Sequence, residues 1–123
     1  MEFRLLRVEE VITLHDAVLN PGELGGLAKV SLEGALARVE FRVQYGMITD
    51  VYDLAAMYVV AISQVHAFRD ADKRTAHACM EFVLLGHGLV IEFDTKTIGN
   101  IFIRVAQGHL DEVELASWLR EQS

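Results

Sequence analysis

Two adjacent stretches decide how this chain folds and where its chemistry lies. The first is an apolar run, Leu54-Ala55-Ala56-Met57-Tyr58-Val59-Val60-Ala61-Ile62, and the second is a polar run, His66-Ala67-Phe68-Arg69-Asp70-Ala71-Asp72-Lys73-Arg74. Residues 76–85, which follow, are again mostly apolar. Charged groups held between buried segments cost free energy unless they are hydrated, paired or facing a ligand. The polar run therefore indicates a central binding or catalytic loop.

Length and composition bound the class of protein. The chain has 123 residues, one cysteine and one proline, and 52% of its residues are hydrophobic, which predicts a single domain over residues 1–123 with one core. A lone cysteine excludes a disulfide framework and fits a reducing compartment. Charges interrupt every apolar stretch, and the N-terminus carries Glu2 and Arg4. We therefore expect no membrane span, no signal peptide and a cytoplasmic location.

The charge balance argues against a polymeric nucleic acid as the main partner. The formal net charge is −7, whereas a phosphate-backbone footprint needs a broad basic surface. The polar loop, unlike the chain as a whole, has more basic than acidic residues, because it contains Arg69, Lys73 and Arg74 beside only two aspartates. A local cationic site on an acidic protein suits a small anion such as a nucleotide.

Hydrophobic periodicity predicts an all-α fold, a bundle of about six helices around a central helix–loop–helix. The predicted helices cover residues 8–19, Ser31 as N-cap to about Tyr45, 51–65, Lys73 or Arg74 to Gly86, Thr95 to about Ala106, and Asp111 as N-cap to Arg120. Residues 89–93 are rich in β-branched and apolar side chains and predict either one short strand or an extended connector. One strand cannot form a sheet.

The loop contains the groups that phosphoryl or nucleotidyl transfer requires. His66 can accept a proton from an attacking hydroxyl, and Asp70 is a hard oxygen donor suited to Mg²⁺. Lys73 and Arg74 lie where a helix N-terminus would offer backbone N–H groups to phosphate. The alternative is a solvated surface turn with a histidine at a helix end, and spacing alone does not exclude it.

Two further residues have supporting roles in this prediction. Phe68, between polar neighbours, is expected to pack into the core and hold the shape of the loop. Thr75 either caps the following helix or contacts phosphate.

At residues 66–76 the pattern His-x-Phe-x-Asp-Ala-x-Lys-Arg-Thr-Ala resembles the signature of the Fic/Doc family, specifically its Doc (death-on-curing) toxin branch. Similar landmarks follow in order along most of the chain: Leu14-His15-Asp16-Ala17, Gly25-Gly26, Arg38-Val39 to Arg42-Val43, Ile48-Thr49-Asp50, Leu54 to Ala56, and Phe82 to Gly88.

The resemblance implies a Fic-fold helical bundle and a set of roles. His66 would be the general base on a target hydroxyl, Asp70 would hold Mg²⁺, and Lys73 and Arg74 would bind the phosphates of ATP. Doc-type proteins carry lysine at the position of Lys73, whereas AMP-transferring relatives carry glycine. Lys73 therefore implies a kinase that phosphorylates a threonine of translation elongation factor Tu and so arrests translation.

Two departures from the family pattern matter. Asp72 occupies a position that is normally asparagine, and aspartate adds a negative charge where an amide could donate to phosphate. A like-charge contact near 4 Å costs about 1 kcal/mol in water and about 4 kcal/mol at an effective dielectric of about 20. Asp72 therefore weakens ATP binding, helps recruit a metal, or marks an attenuated toxin. Residues 25–31, where the target is expected to dock, also look a few residues short.

A Doc-type toxin implies a small Phd-like antitoxin whose disordered tail folds onto the toxin, since the chain lacks the built-in Fic inhibitory pattern. Two alternatives to the kinase stay open. One is AMP transfer to a protein hydroxyl, against which Lys73 argues. The other is a catalytically weakened, Doc-like module that mainly binds antitoxin and regulates its operon, an option that Asp72 keeps in play.

Overall fold

The structure is a computed structural model that describes residues 2–23, 25–68 and 71–123. This part of the chain forms six helices: α1 (Val8–Val18), α2 (Lys29–Gln44), α3 (Val51–Val65), α4 (Asp72–Gly86), α5 (Thr95–Ala106) and α6 (Glu112–Gln122). The all-α prediction is confirmed. Within the described ranges, no helix is both long and apolar enough to cross a lipid bilayer.

The helix α3 is the centre of the bundle. It packs against α2, α4, α5 and α6, while α1 lies against α4 and α2. Its side chains from Leu54 to Ser63 are all buried. A helix that is apolar nearly all round is stable only when other elements cover every side, so the neighbouring helices are arranged as a shell around it.

The N-terminal segment is fixed to this centre by one buried hydrogen bond. The backbone N–H of Leu6 donates to the hydroxyl of Tyr58, with the nitrogen and oxygen 2.8 Å apart. Burial raises the pKa of Tyr58 to about 12, so the phenol stays protonated at neutral pH. The bond links the segment before α1 to the middle of α3.

Most predicted helix boundaries are confirmed. The starts of α2 and α4 differ from the prediction, and the conformation of residues 89–93 had been left open. The N-cap of α2 is Ala28, not Ser31. The N–H of Ala28 donates to the carbonyl of Ala67 at 2.6 Å, and this tertiary bond fixes the chain early enough for the helix to begin at Lys29. The helix α4 likewise begins at Asp72, just before the predicted start.

Residues 89–93 form the extended connector and not a strand. Their side chains alternate between the core and solvent, with Leu89, Ile91 and Phe93 packed against the core and Val90 exposed. No other extended segment of the described chain pairs with them, so the apolar residues at alternate positions serve packing and not a sheet.

A cluster at one end of α3 joins the C-terminal helix to the core and generates a stability prediction. Asp50, the N-cap of α3, accepts from Arg120 at 2.8 Å, and Asp53 accepts from Arg120 at 2.6 Å. Burial by itself would raise the pKa of Asp53, but hydrogen bonds from Thr49 and Arg120 outweigh it and hold that pKa below its usual value.

We predict that Arg120→Met lowers the free energy of unfolding by about 1 kcal/mol at neutral pH, a small figure because water screens the partly exposed pair. A carboxylate with a lowered pKa in the folded state stabilises it above about pH 4 and loses that contribution as the pH falls through the lowered value. The variant should therefore lose less stability than the wild type on acidification, as measured by urea unfolding at several pH values.

Arg104→Met is the matched control, since Arg104 is exposed and makes no ion pair within the described ranges. Equal acid sensitivity of the wild type and Arg120→Met would contradict the assigned role of this cluster.

Candidate active site

The loop between α3 and α4 is bounded by two residues in the left-handed backbone region. His66 ends α3 with φ 50° and ψ 45°, and Ala71 precedes α4 with φ 69° and ψ 28°. They are the non-glycine residues with positive φ in the described chain. Such conformations cost roughly 1–3 kcal/mol each and concentrate at functional sites. This places the polar run at a sharply constrained turn between two buried helices.

Packing beneath the loop holds that strained backbone in place. Phe68 is 4% exposed and its ring stacks on His15 of α1, with centroids 3.8 Å apart and planes 12° apart. The segment before α2 also contacts the loop through the Ala28–Ala67 hydrogen bond and an antiparallel bridge between Leu27 and Phe68. Phe68 thus has the buried, loop-supporting position that the sequence predicted.

His66 presents its imidazole to solvent and contacts one acidic side chain. The side chain is 69% exposed, and its Nδ1 lies 3.4 Å from Oδ2 of Asp72. Within the described residues its Nε2 makes no hydrogen bond. The ring is therefore accessible to a hydroxyl from outside, with one nitrogen occupied and the other open.

Asp72 is the first residue of α4, and its carboxylate is mostly covered. The side chain is 19% exposed, and Oδ1 is buried without a hydrogen-bond partner among the described residues. A negative group in the first turn of a helix is favoured by the helix dipole. Asp72 is consequently fixed at the floor of the site, while His66 is the more exposed partner.

The two cations predicted to bind phosphate occupy different environments. Lys73 is exposed and forms no ion pair within the part of the chain that the structure describes. Arg74 donates to the carbonyl of Val18 at 2.6 Å and to Oε2 of Glu23 at 2.5 Å. The hydrogen bond from Arg74 is the main reason that the pKa of Glu23 lies below its usual value. Arg74 is thus tethered to the end of α1 and the following loop.

The first turn of α4 provides the remaining anion-binding groups. Its N-cap, Ala71, has no side chain that could accept from the backbone N–H groups of that turn. Four such groups in any helix have no partner inside the helix, and they carry partial positive charge. The donor set at this point, N–H groups with Lys73 and Arg74, fits the phosphate groups of a nucleotide.

Thr75 is placed differently from the prediction of phosphate contact. It is fully buried, and its hydroxyl donates to the carbonyl of Ala71 at 2.7 Å. In this conformation the hydroxyl stabilises the turn and is not available to a ligand. It is also not an N-cap, because the helix starts three residues earlier.

Arg69 and Asp70 lie outside the described residues, so the magnesium ligand predicted at Asp70 has no structural description. In the remainder of the chain, no group of three or more His, Cys, Asp or Glu side chains could hold a metal ion. A carboxylate at Asp70, next to phosphate-binding groups, retains the donor chemistry that Mg²⁺ prefers when it also binds nucleotide phosphates.

Sequence reasoning missed two features of the site. Glu23 was not a candidate, although it pairs with Arg74 across 51 residues. The contact of Asp72 with His66 was also missed, because the sequence related Asp72 to ATP binding, a metal or attenuation and not to His66. No signal in the sequence identified Glu23. The short separation of His66 and Asp72 along the chain, across a predicted turn, could have predicted their contact.

We predict that Phe68→Ala lowers the free energy of unfolding by about 3 kcal/mol, the usual cost of truncating a buried phenylalanine, and disorders the loop. Phe41→Ala is the control, since Phe41 is 53% exposed, and it should cost less than about 1 kcal/mol. Chemical unfolding of both variants measures the difference. Equal losses would contradict the supporting role of Phe68.

Two sequence comparisons with known proteins identify the family. Residues 5–84 match the model of the Fic/DOC family. The chain is also similar to the "Protein kinase doc" of Escherichia phage P1, with 36% identity over 121 residues, which cover 95% of this chain and 94% of the phage protein. The matched segment includes all of α3, the whole loop and α4 as far as Leu84. The chain therefore belongs to the Fic/Doc family.

Proposed function

We propose that this chain is a Mg²⁺- and ATP-dependent protein kinase and the toxin of a toxin–antitoxin pair. The observation that carries the proposal is the placement of an accessible imidazole, His66, beside the uncapped N-terminus of α4 with Lys73 and Arg74. The similarity to a phage protein named as a protein kinase supports the choice of phosphoryl transfer.

In this proposal His66 acts as the general base. Its open Nε2 accepts the proton of a protein hydroxyl as that oxygen attacks the γ-phosphorus of ATP; the bond from the γ-phosphorus to the β–γ bridging oxygen breaks, and ADP leaves. General bases of this kind contribute about 10²–10⁴-fold to the rate. The exposed position of the ring suits a macromolecular substrate, because the hydroxyl reaches it without opening the protein.

The remaining groups bind and orient the phosphates. Lys73 supplies an exposed point charge, and Arg74 and the N–H groups of the first turn of α4 supply directional donors. Mg²⁺ held by Asp70 would neutralise negative charge on the phosphate oxygens. Charge stabilisation and positioning are the main requirements of phosphoryl transfer, and these side chains supply both.

For the target we propose a threonine hydroxyl of elongation factor Tu, with arrest of translation as the result. This part rests on the family resemblance of the loop signature. The proposed partner that restrains the toxin is a Phd-like antitoxin with a tail that folds on binding. The exposed rings of Phe41 and Tyr45, with centroids 4.3 Å apart at the end of α2, support such a partner, since coupled folding gains free energy by covering apolar surface.

We predict that label passes from γ-labelled ATP, and not from α-labelled ATP, to purified GDP-bound elongation factor Tu in the presence of Mg²⁺. Transfer from α-labelled ATP would replace the kinase with an AMP-transferase. His66→Ala should lower the rate at least about 100-fold, whereas His109→Ala, at an exposed histidine remote in sequence, should not. Absence of transfer by the folded wild type with either label would contradict this function with this target.

The tether on Arg74 generates a prediction about nucleotide affinity. Glu23→Gln removes the negative charge that lies beside the guanidinium of Arg74. It keeps a side-chain oxygen that can accept from the N–H of Asn20, as Glu23 Oε1 does at 2.6 Å. Removing a negative charge a few ångströms from phosphate removes a like-charge repulsion that water partly screens. We therefore expect ATP to bind about three- to tenfold more tightly, measured by calorimetry.

Glu33→Gln is the matched control, because Glu33 is exposed on α2 and has no ion pair in the described ranges; its affinity for ATP should equal that of the wild type. Weaker binding by Glu23→Gln would show the reverse role, in which Glu23 orients Arg74 for the phosphate.

A further inference from the structure

We infer that Asp72 is a positioning residue for His66: its carboxylate fixes the proton of the imidazole on Nδ1 and leaves Nε2 free as the basic atom. The inference rests on the proposed function for its catalytic consequence. The contact itself is independent of that function. It gives Asp72 a role at the imidazole, in addition to the effects on ATP, metal or activity that the sequence suggested.

The backbone brings the two side chains together from separate helices. His66 is the left-handed C-cap of α3, and Asp72 follows the left-handed Ala71 at the start of α4. The two left-handed residues turn the chain sharply at both ends of the loop, and His66 Nδ1 then lies 3.4 Å from Asp72 Oδ2. Catalytic contacts are often somewhat long before substrate binds and shorten in the complex.

Burial makes Asp72 the fixed member of this pair. Its side chain is 19% exposed against 69% for His66, and its Oδ1 has no hydrogen-bond partner in the described part of the chain. A mostly covered carboxylate with unfilled acceptor sites gains free energy from any donor nearby. The Nδ1–H of His66, whose nitrogen lies 3.4 Å from Oδ2, is such a donor, and the hydrogen bond that forms when the two atoms move closer restrains the ring.

The chemistry of the two groups then selects one tautomer. A neutral imidazole has one donor nitrogen and one acceptor nitrogen, and an ionised carboxylate can only accept. The nitrogen facing Asp72 must therefore carry the hydrogen. The lone pair remains on Nε2, which faces away from Asp72 and makes no hydrogen bond within the described residues.

Asparagine at this position would not select a tautomer in the same way. Its amide has both an acceptor oxygen and a donor nitrogen, so it can face either form of the ring. An NH₂ group that donates to Nδ1 would place the hydrogen on Nε2 and remove the basic atom. The aspartate of this chain thus has a positive role at the imidazole, which offsets the repulsion that it adds near phosphate.

The first test is the tautomer itself, measured on the full chain without nucleotide. Histidine-labelled protein is studied by long-range ¹H–¹⁵N correlation at about pH 9, where imidazole side chains are in general neutral. We expect the hydrogen of His66 on Nδ1 in the wild type, and a mixture of both tautomers in Asp72→Asn and Asp72→Ala. Hydrogen on Nε2 in the wild type, or an identical ring spectrum in Asp72→Ala, would overturn the inference.

The chain contains a matched control pair. His77 Nε2 lies 2.6 Å from Glu81 Oε1 on α4, so Glu81→Gln alters a second histidine–carboxylate contact outside the loop. It should leave the His66 signals unchanged. A change of His66 in Glu81→Gln would mean that the spectra report general rearrangement, and this too would overturn the assignment.

The second test is kinetic and distinguishes two roles of Asp72: positioning His66, or hindering the binding of the nucleotide. In label transfer, Asp72→Asn should lower kcat about 10- to 100-fold while KM for ATP stays equal or falls, since the nucleotide site loses a negative charge. For comparison, loss of the orienting aspartate from a Ser-His-Asp triad lowers kcat by about 10⁴. Asp72→Glu, which keeps an acceptor-only carboxylate, should recover part of the rate. A higher kcat in Asp72→Asn would overturn the inference and make Asp72 an attenuator.

The two tests are independent, so failure of the proposed function can be distinguished from failure of this inference. If the wild type transfers no label, the proposed function fails, but the tautomer measurement still decides whether Asp72 orders the ring. Each variant is first compared with the wild type by thermal unfolding, and Asp72→Ser replaces any variant that does not fold.

Discussion

The constraint on which this structure depends is the burial of α3. Eleven of its fifteen residues are buried, so other helices must cover it on every side. Its C-terminal end is therefore the place where the chain can change from an apolar to a polar surface. The loop that follows carries His66 at its start, and α4 returns directly along α3. One packing requirement thus fixes both the centre of the core and the position of the candidate site.

The loop is the most strained part of the described backbone, and neighbouring elements offset the cost. His66 and Ala71 both adopt left-handed conformations without being glycine. Phe68 lies between these two residues in the sequence, and its buried side chain stacks on His15 of α1. The chain before α2 adds a backbone hydrogen bond to Ala67. A buried aromatic side chain contributes several kcal/mol, comparable with the strain of two such residues.

Acidic side chains set the state of the site as much as the basic ones do. Glu23 pairs with Arg74, and Asp72 contacts His66. Both acids face the very groups that the proposed reaction uses. In the proposed reaction Glu23 would compete with phosphate for Arg74, whereas Asp72 faces Nδ1 and leaves Nε2 open. The same kind of charge can therefore restrain one function and support another, depending on which atom it faces.

The sequence by itself determined the helical class and most helix positions, because these follow from local periodicity and capping. The range 51–65 and the N-cap Asp111 are confirmed. The loop signature also gave the family, since its spacing is local too. The start of α2 was wrong because Ala28 is held by Ala67, almost forty residues away.

Only the tertiary structure decided how the site residues are partnered. Glu23 and Arg74 are 51 residues apart, and His15 reaches Phe68 from another helix. Thr75, predicted to cap α4 or contact phosphate, is fully buried. These facts depend on how helices pack around α3, and packing joins distant residues through surfaces that no local pattern encodes. The chemical types at the site were thus determined by the sequence, and their contacts by the fold.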